Sequence, residues 1–363
     1  MSCHHPFVSF KMFLAAALVI AGLAANALAD PLAGRDYLKF SQQPMNQLGV
    51  PNNNGTVDTF FGHDELSTAY GFPTPAPSII PFYSGRFMAD DFADTLSSPV
   101  LHVKWWGSYK SDFIDPNMPV NKFLISFEDD VPQSTMNPFS YPGQPLLNQV
   151  VDRGPLAPGS GTFSESLIRG PDPILGESLY EYNAELHLGK EFFEKAHTVY
   201  WLKIAAMVDV PAGIMFDPHD PDSSLVPVTQ WGWHNRDYTI QDTLASPNVS
   251  PGEFLNGTIG AANQPIWHFQ DDAVSGDVRI DVLGPGGITM PIIQQTNFHP
   301  ENYLDNIDGP AFGSVPGTTG IGAYSKDLAF ELYTYNVPEP SSCLLLVSGV
   351  VGLALNRRRR ARD

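Results

Sequence analysis

The chain carries only two cysteines in 363 residues, Cys3 and Cys343. Both lie in terminal segments, so neither a disulfide framework nor a cysteine-ligated zinc site can hold the middle together. Basic residues are also scarce, with 20 Lys plus Arg against 39 Asp plus Glu and a net charge of −19. A surface of that sign repels phosphate backbones and argues against a nucleic-acid partner. Helical periodicity is nearly missing between Asp36 and Tyr335, where the one amphipathic stretch, Lys190 to Ala196, amounts to a turn or two. No fixed-period repeat occurs, so a propeller or solenoid loses support. Catalytic signatures are lacking as well. There is no Gly-x-Ser-x-Gly elbow, no P-loop and no His-Glu-x-x-His, and His63, His102, His187, His197, His219, His234, His268 and His299 show no ligand spacing. The sequence therefore nominates no catalytic residue, and a non-enzymatic role is the leading expectation.

What is present is core material: 43% hydrophobic and 12% aromatic residues, too apolar for a disordered chain. It comes in short period-two runs between Pro, Gly, Asn and Asp clusters, the pattern of an all-β protein. Phe123, Ile125 and Phe127 alternate with Leu124, Ser126 and Glu128, and Tyr180, Tyr182, Ala184 and Leu186 alternate with polar neighbours. From Val199 to Val208 both faces are apolar, which predicts a central strand. Further strands are expected at 101–106, 266–269, 278–282 and 328–335. Pro-rich connectors are expected at 71–81, 130–145 and 216–227, and 284–322 reads as an insertion or loose lobe. The fold class predicted is an antiparallel β-sandwich, jelly-roll-like, forming one domain over 36–335 with long Pro/Gly-rich loops.

Both ends read as targeting segments. Lys11, the apolar run Met12 to Ala25 and Ala27-Leu28-Ala29 form a secretory signal peptide over 1–29. At the other end stand Val337-Pro338-Glu339-Pro340, an apolar stretch Cys343 to Leu355, and Arg357, Arg358, Arg359, Arg360 and Arg362. The apolar stretch would span about 20 Å as a helix, so a membrane segment over 341–355 relies on flanking Ser and Arg to reach the interfaces. The arginines would fix their flank inside the cell and place the preceding domain outside. This tail, 337–363, resembles the PEP-CTERM sorting signal of exported bacterial proteins. The resemblance implies recognition of Pro338-Glu339-Pro340 by a membrane-embedded transpeptidase, the exosortase, which removes the tail. The protein would be held at the inner membrane first and then pass to the envelope or extracellular matrix. A plain C-terminal anchor predicts the same topology without cleavage. Between leader and apolar plug, 14 basic residues face 38 acidic ones.

A second resemblance spans the middle. Leu38-Lys39-Phe40-Ser41-Gln42-Gln43-Pro44, Met88-Ala89-Asp90-Asp91-Phe92, Val103-Lys104-Trp105-Trp106-Gly107-Ser108-Tyr109 and Leu328-Ala329-Phe330-Glu331-Leu332 are similar to the ordered landmarks of a secreted bacterial domain family of unknown function. It implies a single domain, and the family name supplies no activity.

Two groups of residues suggest ligands. Trp105 and Trp106 are adjacent on a predicted strand and must point to opposite faces, whereas Trp231 and Trp233, two apart, would share a face if that segment is extended. Either these rings fill the core, or some are exposed and stack on sugars of an extracellular polysaccharide. Among the acidic clusters, Asp90, Asp91, Asp217 and Asp220 stand as candidates for a structural calcium ion, against a reading as solvated loop charge. No other cofactor is expected. Three functions remain open: a structural or adhesive exported protein, a carbohydrate-binding module, and a polysaccharide-degrading enzyme. Glu128, Glu181 and Glu185 are strand positions where the last could keep its carboxylates.

Overall fold

The computed structural model describes residues 34–44, 50–51, 57–58, 64–74, 79–94, 96–132, 134, 136–137, 139–171, 176–196, 198–236, 273–284, 287–300 and 327–335. The leader 1–29, the predicted strand 266–269 and the tail 337–363, with its sorting motif, apolar stretch and arginines, lie outside these residues. No helix among the described residues is long and apolar enough to cross a membrane.

The protein is all-β. In chain order the strands are β1 (Tyr37–Gln42), β2 (Val50–Pro51), β3 (Val57–Asp58), β4 (Asp64–Leu66), β5 (Thr68–Gly71), β6 (Phe82–Phe92), β7 (His102–Tyr109) and β8 (Lys122–Val131). They continue as β9 (Tyr141–Arg153), β10 (Thr162–Arg169), β11 (Leu179–Glu185), β12 (Tyr200–Asp209), β13 (Trp231–His234), β14 (Val274–Asp281), β15 (Ile292–Pro300) and β16 (Phe330–Thr334). Fourteen of them form one mixed sheet ordered β1-β16-β7-β11-β10-β9-β8-β12-β5-β6-β14-β15, from which β13 branches to pair with β7 and β4. Most pairs are antiparallel. Parallel pairing joins β12 to β5 and β9 to β10. β2 and β3 pair only with each other, and strand pairing among the other fourteen is continuous.

β12 is the central strand its composition predicts, buried along nine of its ten residues. Period two sends its residues into two cores. Leu202, Ile204, Ala206 and Val208 enter the larger cluster, while Trp201, Ala205 and Met207 enter a smaller one with Phe87, Leu124 and Val278. The sheet curls over the larger cluster. Trp105 of β7 and Phe123 of β8, four places apart in the strand order, bring their ring centroids to 5.2 Å.

Three expectations need correction. Lys190 to Ala196 forms no helix, because Phe192 is pinned in an extended bridge to Val100 and stacks on Phe127 at 4.4 Å. The connector 130–145 is shorter than expected, since β9 already begins at Tyr141. Pro142 and Pro145 sit opposite register shifts in β8, where a missing N–H breaks no ladder bond. The stretch 284–322 is no loose lobe throughout, because β15 lies within it and pairs with β14.

The same non-helical segment buries Glu194 beside Lys39 of β1, and Asp94 lies 3.3 Å from the Lys39 ammonium. One cation thus faces two buried carboxyls. Burial, then the charge of Asp94, pushes Glu194 up to about 8 against the opposing pull of Lys39. Asp94 is raised too, by burial. A raised carboxyl means that the folded state holds a proton the unfolded chain has released. The associated stability is complete below the ordinary glutamate range and is lost as pH rises through about 8. Urea titrations should show stability falling by about 1 kcal/mol per pH unit between about pH 6 and pH 8, and Glu194→Gln should flatten that slope. An unchanged slope in the variant would assign the pH dependence elsewhere.

Candidate functional site

The sequence Trp231-Gly232-Trp233 builds a cleft floor by alternation. Both indoles point into the core, so the backbone at Gly232 faces the other way without a side chain. A Cβ at Gly232 would lie 2.8 Å from the Cβ of Asp64, and one at Gly107 would lie 2.4 Å from the carbonyl oxygen of Gly232. β13 can therefore wedge between β4 and β7 only because both positions are glycine. The result is a cleft of about 590 Å³ above β13. β4 supplies Asp64, Glu65 and Leu66, β6 supplies Arg86 and Met88, and Ser108 and Lys110 come from β7 and the turn after it. Glu177 precedes β11, and His219, Asp220, Pro221, Asp222 and Gln230 come from the 211–230 connector.

The polar groups are held before any ligand arrives. Ser108 Oγ donates to Asp64 Oδ2 at 2.7 Å, and His234 Nδ1 lies 3.1 Å from Asp64 Oδ1, leaving that side chain 9% exposed. Lys110 Nζ donates to Asp222 at 2.6 Å and Gln230 Nε2 donates to its other oxygen at 2.7 Å. Those two bonds hold the Asp222 carboxyl below the usual range. Arg86 Nε donates to the His219 carbonyl at 3.3 Å. Glu177 differs from the other acids. Burial, then the negative charge of Asp64, pushes it up to about 7, with a smaller rise from Asp112 and opposing contributions from the Ser111 N–H and His234. The cleft thus presents five carboxyl groups against two permanent cations, with Asp64 and Asp222 each held by two side-chain partners.

The structure redistributes the residues singled out from sequence. Trp231 and Trp233 lead to the site, but their rings are fully buried. Trp231 Nε1 donates to Tyr182 Oη and Trp233 Nε1 to the Ala329 carbonyl. Trp105 stacks on Tyr182 at 5.4 Å, and Trp106 packs with Leu179 and Ala329 under the Lys104 ammonium. No ring of the four is open to a sugar face, because each is worth more as core area on a chain without core disulfides. Asp90 and Asp91 are buried in β6, Asp90 accepting the Leu328 N–H at 2.7 Å, with its carboxyl raised by burial, then by Asp327 and Asp91. Asp217 and Asp220 lie in the turn before Pro221, and of the four aspartates only Asp220 lines the cleft. Among the described residues no group of three or more His, Cys, Asp or Glu is placed to hold a metal ion. Glu128 and Glu185 are buried in ion pairs with Lys203 and Arg35, and Glu181 faces Lys104. Asp64, Glu177 and Asp222 were not legible as site residues. The residues singled out from sequence that do line it are Asp220 and Trp231.

A family model described as a domain of unknown function (DUF7901) matches residues 38–271. No curated protein and no solved structure matches the chain.

Proposed function

Because the chain belongs to this domain family of unknown function, whose description carries no activity, we propose from the cleft's chemistry that the protein is an exported binding domain for uncharged glycans. The observation that carries this reading is the set of carboxylates around a glycine floor, of which Asp64 and Asp222 are held by hydrogen bonds. Neighbouring sugar hydroxyls donate well to fixed carboxylates, and Arg86, Lys110 and Gln230 supply donors for ring and hydroxyl oxygens. The excess of acid disfavours uronate or sulfated polymers by like-charge repulsion. Calcium need not take part.

In this reading the curled sheet serves as a sandwich-like scaffold. The leader over 1–29 exports it, the PEP-CTERM-like tail holds it at the inner membrane, and an exosortase-type enzyme releases it to the envelope or matrix, where glycan binding makes it adhesive. The chain should bind uncharged glycans on an array. Asp64→Ala and Asp222→Ala should each weaken binding about tenfold or more, the value of a lost charge-assisted hydrogen bond. A blank array, or binding untouched in both variants, would reject the proposal. Cells with and without the exosortase test the sorting half, since a tail left uncut where the enzyme is present would remove it.

A further inference from the structure

The side chain of Lys39 is wholly shut from solvent, on β1 at one end of the sheet order. Its Nζ donates to the Ser98 carbonyl, touches Glu194 Oε1 and lies 3.3 Å from Asp94 Oδ2. Both acids are closed to solvent as well, their side chains 0% and 1% exposed, and a hydrogen bond joins the two carboxyls. Asp94 is aimed by its other oxygen, since Oδ1 accepts the Leu96 N–H at 2.7 Å. An amine, a carboxyl carbon one bond from Oδ2 and a second acid in reach of both are therefore assembled in a dry pocket. An ion pair needs only one acid, whereas a condensation uses the second to move protons. We propose that Lys39 and Asp94 condense into an intramolecular amide that ties β1 to the segment just after β6, with Glu194 as the proton carrier.

The step balances with water as the leaving group and needs no co-reactant. One ammonium proton moves to Asp94 Oδ2, which leaves a neutral amine beside a neutral carboxyl. The Nζ lone pair bonds to Cγ, and the negative charge that develops on Oδ1 meets the Leu96 N–H. Glu194 takes a proton from Nζ through Oε1 and gives one to the Oδ2 hydroxyl. The Cγ–Oδ2 bond then breaks, and its electron pair leaves in the water. Burial and the Asp94 charge keep a proton on Glu194 up to about pH 8, which suits the donor role. Confinement supplies the proximity that amide formation lacks between free groups in water. Glu194 emerges unchanged and still buried, so the fall in stability with rising pH expected of it holds with or without the link. The amide would do what the chain's cysteines cannot, since Cys3 and Cys343 both lie in terminal segments. None of the three residues lines the cleft, so the link stands or falls apart from glycan binding.

Peptide mass spectrometry tests it directly. The full chain is expressed, purified in its folded state, denatured and digested with trypsin. Trypsin should fail to cut after Lys39, and the peptides carrying Lys39 and Asp94 should appear as one species, lighter by one water than their sum. Fragmentation should place the link at Asp94. Asp94→Ala should abolish that species, and Glu194→Gln should slow its formation by about 10²–10⁴-fold and leave most chains open. Separate wild-type peptides of unaltered mass would overturn the inference and leave a buried ion pair. A link at Glu194 instead, or complete linkage in Glu194→Gln, would overturn it as well. The wild-type digest decides even where a variant fails to fold.

Discussion

Lys203→Met is expected to lower the unfolding free energy by about 3–5 kcal/mol, the cost of leaving a buried carboxylate without its cation. Lys203 projects from β12 into the smaller core, fully buried, with Nζ 2.6 Å from Glu128 Oε1 and 4.0 Å from the Phe87 ring centroid. It also donates to Gln295 Oε1, and Gln295 Nε2 returns a bond to Glu128 Oε2 at 2.8 Å. Ser126 Oγ supplies a further donor to Glu128 at 2.8 Å. Burial depresses the lysine's proton affinity and Glu128 restores part of it, so the pair depends on both members. Lys203→Met with Glu128→Leu removes both charges at once and should recover most of the loss. Urea denaturation measures all three proteins. A single variant within about 1 kcal/mol of wild type would show that water reaches Glu128.

Trp231→Ala should cost a similar amount, about 3–5 kcal/mol, for a different reason. Its ring is fully buried against Phe123 at 4.9 Å and Tyr182 at 5.7 Å, and its N–H serves the buried Tyr182 hydroxyl at 3.0 Å. Truncation leaves a cavity where β7, β8, β11 and β13 meet, and the Tyr182 hydroxyl keeps Tyr109 as a partner but loses the indole donor. Because Trp231 is also the cleft floor, glycan binding should fall with stability. Asp222, whose side chain is 62% exposed, should behave otherwise: Asp222→Ala should leave stability within about 0.5 kcal/mol while weakening binding. Denaturation and calorimetry on both variants therefore separate the floor's two roles.

Period-two alternation made much of the scaffold legible. It located β7, β8, β11, β12, β14 and β16 and marked β12 as central from its two apolar faces. β6, β9, β10 and β15 were less legible, because they mix charges, prolines or glycines with apolar residues. Sequence patterns of that kind read as loops until a neighbouring strand pairs with them. Lys203 interrupts an apolar face for the same reason: only tertiary contact with Glu128 and Gln295 makes a buried ammonium tolerable. The site was hidden further. Trp231 and Trp233 do share a face, yet that face is the core, and the cleft lies on the other, over the bare backbone of Gly232. Asp64, Glu177 and Asp222 are far apart in the chain, and no spacing rule joins them.

Hydrogen exchange of the chain with and without a bound uncharged oligosaccharide tests the central claim most directly, because it shows where the ligand sits. Protection should rise at 64–66, 219–222 and 230–232, the backbone around the cleft, with the rest of the sheet unchanged. Protection on another face of the sheet, with those three segments unaffected, would contradict the account.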